Sequence, residues 1–543
     1  MKKDLFDDKL RIRNLKALGL IWGFLKYYHP AVRTGKYNWD KELFRLIPII
    51  VNCVKTSDRD NYLADWICAI GKLEISKNKP TTPHKDIKIA PDFTWLEKSG
   101  FSARLKTALC KVIKAKRTSE NHYVRLLSNV GNPKFINEKK YPLHKFPDQN
   151  KRILTLFRYW NMIQYFYPYT YLIEGDWTDI LEKFIPKFIN AENENDYFLV
   201  ILELITLIND THARIGGDDY MLAKIKGAYF SPADLSFIEN HAVVTGFYNT
   251  EYGSKSGLKK GDIISSINGV PVEKIINEKL KFAPASNYIS KVRLVLGDLL
   301  RTHGDEICAE IQRDNQKLII NIPVYSYKEL DFSIRYRVED TAFKMIRDDI
   351  AYLNNGSLKR KDVPGIWKSI KDTKGLIIDC RPYPYDYPMY DLCKYLMPQK
   401  TLFCKMTGVN LNEPGQFIFK YDFSTGKKNI NFYNGRVIIL VNEVSLSSAE
   451  FHAMAYKVHP KSTIIGSTTA GADGNVSLLT LPGNIVTGFT ALGVYYPNCA
   501  ETQGIGIVPD IEIKPTIRGI REERDELIEK AIEIIDGEIK NSL

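Results

Sequence analysis

Ser447 is the residue around which chemistry can be built. It lies in RVIILVNEVSLSSAEFHAMAYKVHPKSTIIGSTTAGADGN, residues 436–475. Val437–Val441 is an unbroken apolar run, which predicts a strand buried on both faces of a mostly parallel sheet. Ser447-Ser448-Ala449-Glu450 has the S-x-x-E spacing of a capping box, so a helix should start here, with Ala449, Ala453, Met454 and Tyr456 sustaining it. A second strand, Thr463–Ile465, then runs into a Gly-rich turn. A serine at a strand-to-helix turn sits where the first unpaired N–H groups of the helix point, and those groups can stabilise charge on an attacked carbonyl oxygen. The same residues equally describe a serine that only caps a helix.

The wider pattern is more specific. Strand, V-N-E-x-S-x-S-S-A-E, helix, strand and then G-S-T-T-A-G-x-x-G resembles the core of the C-terminal processing (tail-specific) serine peptidases, a family that includes tricorn protease and interphotoreceptor retinoid-binding protein. The resemblance covers about residues 150–520. It implies an α/β core of the ClpP/crotonase kind, Ser447 as nucleophile, a peptide or protein substrate, and neither metal nor cofactor. Bacterial members pair the serine with a lysine 25 residues later, and here that position is Ala472. No lysine stands within Gly471–Asn475, while Lys457 on the helix and Lys461 in the next loop read as solvated.

The tricorn-like branch draws a histidine from outside the core instead. Nine histidines are scattered along this chain, and His212 in LINDTHARIGG matches the D-x-H motif that closes the family's helical segment. The resemblance makes His212 the general base, a task suited to imidazole near neutral pH. Thr211 or Asp210 would orient it, and Glu501 in CAETQGIGIVPD would complete the set, two residues further from G-I-V-P-D than the family pattern has it. His452, five residues beyond Ser447, is turned about 140° away on the same helix. The family's Gly-rich oxyanion turn is replaced by DCRPYPYDYP, Asp379–Pro388, in which Pro382 and Pro384 have no N–H to donate. Tyr383 or the amide of Ser448 is left to serve.

Stepping outward, the chain reads as a multidomain α/β protein. Residues 1–75 and 151–225 are helical, and Trp22, Pro30, Trp39, Leu43 and Pro48 recur as Trp160, Pro168, Trp177, Leu181 and Pro186 at a constant offset of 138, which predicts a duplicated unit. Residues 76–150 between the copies predict irregular connections with one or two short helices. Residues 226–327 resemble a PDZ domain through GLKKGDIISSINGVPV, Gly257–Val272. Such domains add a peptide to a sheet edge, and Gly227-Ala228-Tyr229-Phe230 is the candidate for the carboxylate loop, or else a first strand. Residues 328–520 form the α/β core, and 521–543 a charged helix with a solvated face.

With 44% hydrophobic and 26% charged residues among 543, the chain can bury several cores. Its formal charge of +12 is spread along the sequence without a recognition motif, which argues against nucleic acid. The eight cysteines lack metal or disulfide spacing. The first fifteen residues lack the apolar core of an export signal, and no stretch is apolar enough to span a membrane, although the resemblance implies a bacterial cell-envelope location. Oligomeric state is not legible. Two functions follow: a serine endopeptidase acting through an acyl-enzyme at Ser447, or a binding protein of the same fold that holds peptides or hydrophobic ligands.

Overall fold

The computed structural model describes residues 2–76, 84–118, 120–141, 146–216, 219–332 and 341–537. Three β-rich layers and a helical body make a mixed α/β, multidomain architecture. The layer that carries Ser447 is a six-stranded sheet in the order Phe343–Arg347, Ile350–Asn354, Gly375–Asp379, Arg436–Val441, Ser462–Gly466, Ile511–Glu512. All neighbours after the first antiparallel pair are parallel. The central strands are buried on both faces, so their sequences are continuous apolar runs without alternation.

Helices Val363–Ile370, Met389–Leu396 and Ser448–Lys457 cover one face. The other face is covered by Glu526–Asp536, whose Leu527, Ala531, Ile534 and Ile535 pack on Ile377, Ile438, Leu440 and Ile465. That corrects the expectation of a merely solvated C-terminal helix. Its charges lie outward, but one stripe closes the sheet. No described helix is long and apolar enough to cross a membrane.

In the helical body, Trp22 Nε1 donates to Trp39 O at 3.0 Å and Trp39 Nε1 returns a bond to Trp22 O at 2.9 Å. Trp160 and Trp177 exchange the same pair of bonds, at 2.7 and 3.3 Å. Arg158 of the second helical segment reaches Asp40 of the first at 3.0 Å, and also Glu138. Fully buried, that cation requires both acids, because an unpaired interior charge costs several kcal/mol, on the order of 3–5 when one partner is removed.

Two boundaries read from sequence do not isolate separate cores. Residues 76–150 contain the Thr94–Lys98 and Ala103–Ile113 helices and also a strand, Ile87–Ile89, paired antiparallel with Phe417–Thr425. Val409, Phe417 and the Val476–Leu481/Ile485–Thr490 hairpin enter the helical core through Leu479, Leu481, Ile485 and Phe489. The helical body is therefore built partly from the segment that carries Ser447. Residues 226–327 contain an antiparallel sheet in the order Gln316–Pro323, Glu306–Arg313, Ile263–Ile267, His241–Phe247, Ala233–Ile238, which leaves the last as an edge beside the Tyr288–Gly297 helix.

Gly375 tests the helix-on-sheet layer. A Cβ there would stand 2.5 Å from Ile535 Cδ1 and Cγ2, closer than packed carbons approach. Gly375→Ala should lower stability by about 1–3 kcal/mol in urea unfolding, and Ile535→Ala should relieve part of that loss in a double-mutant cycle. Strictly additive losses would show that the helix does not press on this strand.

Candidate active site

The Ser447 backbone adopts φ 54° and ψ −115°. That conformation belongs to glycine at the first central position of a type II′ turn, and a side chain there costs on the order of 1–3 kcal/mol unless its surroundings impose it. Glu450 supplies the restraint. Its carboxylate accepts from Ser447 N at 3.0 Å, closing the S-x-x-E box, and from Gly471 N at 2.9 Å, Ala472 N at 3.2 Å and the Thr469 hydroxyl. Ser447 N is shared with Ala472 O at 3.1 Å. The strand-to-helix turn and the Gly-rich turn are thus stitched together by one buried acid.

Upstream, Ser445 Oγ donates to Cys380 O at 2.9 Å and accepts from Asn442 N at 3.2 Å, anchoring the turn to the neighbouring strand end. Ser448 N, the first N–H of the helix, has no acceptor among the described residues. It is one of the orphan donors every helix start presents.

The His212 imidazole is oriented through Nδ1, which lies 2.8 Å from Thr490 Oγ1 and 3.7 Å from Asp210 Oδ1. Thr490 Oγ1 itself donates to Asp210 Oδ1 at 3.0 Å. Its single proton is thereby committed, so the hydroxyl receives Nδ1–H and leaves Nε2 as the proton acceptor. Asp210 also accepts from Thr490 N at 2.6 Å and from His212 N at 3.0 Å, fixing loop and hairpin as a unit. Burial lowers the His212 pKa, the Asp210 charge opposes that, and the Arg214 charge adds to it. The resting ring is neutral at pH 7, the state a general base needs.

Ser447 and Ser448 open on a cavity of about 500 Å³ whose walls include Tyr383, Tyr387, Tyr421, Phe451 and Asp473. Tyr383, half-exposed, lines the same cavity as both serines. Asp473 is buried; Oδ1 accepts from Gly474 N at 2.7 Å, and Oδ2 has no partner. Burial, with the nearby Glu450 charge, pushes the Asp473 pKa well above the usual carboxylate range. Burial thus favours the neutral acid, whose Oδ2 has no hydrogen-bond partner among the described residues. Glu450 is also pushed up by burial, but its hydrogen bonds pull the other way.

The structure places the residues singled out by sequence as follows. Ser447, Ser448 and Tyr383 meet at one cavity. His212 lies on the loop held by Thr490, in the strand whose partner, Val476, lines that cavity. Thr211 does not orient the ring: its hydroxyl bonds Ser286 Oγ at 3.0 Å and Ala470 O at 3.2 Å. Glu501 does not either, because Oε1 pairs with Lys88 at 2.9 Å. The ring instead meets Thr490 Oγ1 at 2.8 Å, with Asp210 Oδ1 at 3.7 Å.

Gly227-Ala228-Tyr229-Phe230 is no open cradle. Tyr229–Phe230 is a strand paired on both sides, with Arg301–Thr302 and Tyr325–Ser326, and Gly227 O accepts from Arg301 at 2.7 Å. Both flanks of this strand are engaged, and the edges of the adjoining sheet are Ala233–Ile238 and Gln316–Pro323. Lys457 pairs with Asp510, and His452 bonds Asn355 with its pKa lowered by burial to about 3, which removes both as rival bases. Asp473 and Thr490 were not singled out by sequence. Asp473 had a signal, since it adjoins the Ala472 that replaces the family's lysine; Thr490 had none.

Residues 349–513 match the profile of peptidase family S41. A carboxy-terminal-processing protease of Bartonella bacilliformis is 26% identical over 275 residues, 48% of this chain and 56% of that protein. The chain therefore spans little more than half the length of this curated relative. Mature CPAF complexed with lactacystin superposes with a TM-score of 0.53 at 13% identity, covering 72% of this chain and 99% of that one. A mutant of CPAF gives 0.54 at 13% identity, over 71% and 96%. These two likenesses establish a shared fold.

The hydroxyl relay is testable without an assay. In Thr490→Val, which keeps the volume and removes the acceptor, the ¹⁵N resonances of His212 should lose the pure Nδ1–H pattern and show a tautomer mixture. An unchanged pattern would mean that Asp210 alone holds the ring.

Proposed function

We propose that the chain is a serine endopeptidase that cleaves peptides or unfolded C-terminal segments through an acyl-enzyme at Ser447. The observation that carries this reading is the Ser447 turn, a serine in a glycine conformation, held there by Glu450 and facing an open cavity. Such strain persists only where the surroundings over-determine it, and a nucleophile elbow is the recurrent use. His212 Nε2 takes the Ser447 Oγ proton as Oγ bonds to the scissile carbonyl carbon. The same proton then passes to the leaving amine, and a water releases the acyl group. Nε2 and Oγ are not hydrogen-bonded here, and catalytic contacts of this kind commonly tighten only with substrate.

The developing oxyanion is assigned to Ser448 N–H, with Tyr383 beside it and the O–H of Asp473 as a further donor. Residues 226–327 are read as a PDZ domain. A peptide adds to the Ala233–Ile238 edge, in the groove shared with Tyr288–Gly297 and walled by Glu443 and Val444 of the nucleophile turn. The helical segments are read as a duplication, on the reciprocal Trp22/Trp39 and Trp160/Trp177 bonds. The second reading, a binding protein for peptides or hydrophobic ligands, is favoured by Pro382 and Pro384 at the oxyanion turn and by the absence of a His212–Ser447 hydrogen bond among the described residues.

Mass spectrometry of an unstructured polypeptide decides between them. The wild type should cut it, and both Ser447→Ala and His212→Ala should leave it intact; binding without cleavage by all three would establish the binding protein. For the donor role, activity should fall as rising pH ionises Asp473, because the O–H is lost with the proton. Asp473→Asn, whose amide donates from the same position, should keep activity within about tenfold and flatten that limb, while Asp473→Ala should lose on the order of 10²-fold in kcat. A limb that persists in Asp473→Asn would overturn the assignment.

A further inference from the structure

A second cavity, of about 340 Å³, opens where helices Glu194–Thr206, Asp219–Lys226 and Tyr288–Gly297 converge. It shares no residue with the Ser447 cavity or with the Ala233–Ile238 groove. Its walls are apolar: Leu199, Leu202, Ile225, Phe282 and Val295. Among the described residues its polar lining is cationic, with Arg214, Lys226 and Lys279 and one acid, Asp298. That acid is already engaged, by Lys226 and by Arg301 at 2.8 Å. Arg214 and Lys279, both exposed, make no salt bridge among the described residues.

The chemistry of the site follows from that charge balance. A hydrocarbon-lined hole of this size removes apolar surface from water, worth about 25 cal/mol per Å², and by itself would accept any aliphatic chain. Two uncommitted cations at the mouth then select what terminates the chain. They attract an anion, repel an ammonium, and gain nothing from an alcohol beyond a neutral hydrogen bond. Arg214 offers a planar fork suited to a carboxylate, and Lys279 a second, point charge in the same lining.

We propose that this cavity binds a free aliphatic carboxylate of medium chain length, with the chain among Leu199, Leu202, Ile225, Phe282 and Val295 and the carboxylate between Arg214 and Lys279. The site has a route to the candidate base. Arg214 lies two residues from His212 on the same loop, and Gly216 N bonds Val486 O at 2.9 Å in the hairpin that carries Thr490. An anion on Arg214 therefore sits on the loop that positions the imidazole. The Arg214 charge also contributes to the lowered His212 pKa, and a bound carboxylate would offset it. The binding claim stands apart from the peptidase reading, since it involves neither Ser447 nor turnover.

Calorimetry on the full chain at low salt, with decanoate, decanol and decyltrimethylammonium below their aggregation limits, tests the assignment. Decanoate should bind at least tenfold more tightly than decanol, and the ammonium should bind least. Arg214→Ala/Lys279→Ala should lower decanoate affinity at least tenfold and leave decanol within twofold; both changes are exposed and should not alter the melting temperature. Leu202→Phe, which fills the cavity, should weaken both ligands. Equal affinity of decanoate and decanol, or decanoate binding unaffected by the double substitution or by the filled cavity, would overturn the proposal. So would tighter binding of a hexapeptide with an aliphatic C-terminal residue, which would make the occupant a chain end.

Discussion

The Glu450 carboxylate is the constraint on which the site depends. It gathers two backbone N–H groups and a hydroxyl from the Gly-rich turn together with the Ser447 N–H, although those groups come from opposite ends of a strand-helix-strand unit. A buried carboxylate is expensive to leave unsatisfied, by several kcal/mol, so the four donors have nowhere cheaper to go and the turn cannot relax. The strained Ser447 backbone is the consequence. What reads in the sequence as a helix cap is in three dimensions a clamp between two turns.

The rest of the molecule makes that clamp useful. The parallel sheet delivers Ser447 at the carboxyl end of a central strand, the place where open α/β sheets present their crevices. The opposite wall is not local: the Val476–Leu481/Ile485–Thr490 hairpin leaves the S41 segment, buries Leu479, Leu481 and Phe489 among the aromatic helices, and there meets the Asp210–His212 loop. The helices therefore act through packing, setting where the imidazole can be. This explains why the aromatic stripe is wholly buried and offers no ligand surface of its own.

What was legible in the sequence was whatever is encoded within a few residues. The Val437–Val441 run, the S-x-x-E spacing and the Thr463–Ile465 run each carry their own pattern or cap, and the structure has elements at those places. The partner of His212 was not local. Thr490 lies 278 residues away and is one of many strand threonines, and only the folded hairpin distinguishes it. Glu501 was placed by motif position, yet its carboxylate is taken by Lys88, 413 residues distant, on a strand edge no pattern announced. Gly227–Phe230 failed for a related reason: a glycine before aromatics suits a loop or a strand, and the choice rested on Arg301–Thr302 arriving to pair with it.

Two buried acids beside Ser447 show how environment divides one functional group into two roles. Glu450 and Asp473 are both destabilised as anions by burial, and they repel each other's charge. Glu450 accepts four hydrogen bonds, each of which favours the ionised form, whereas Asp473 accepts one and has an oxygen facing nothing. A single proton shared between such neighbours belongs on the one with fewer donors. Glu450 thereby remains the acceptor that holds the turn, and Asp473 is the acid at the cavity wall on which the proton is favoured. A lysine in this turn would have had to neutralise the pair. With Ala472 in its place, the pair is accommodated by favouring the proton on Asp473.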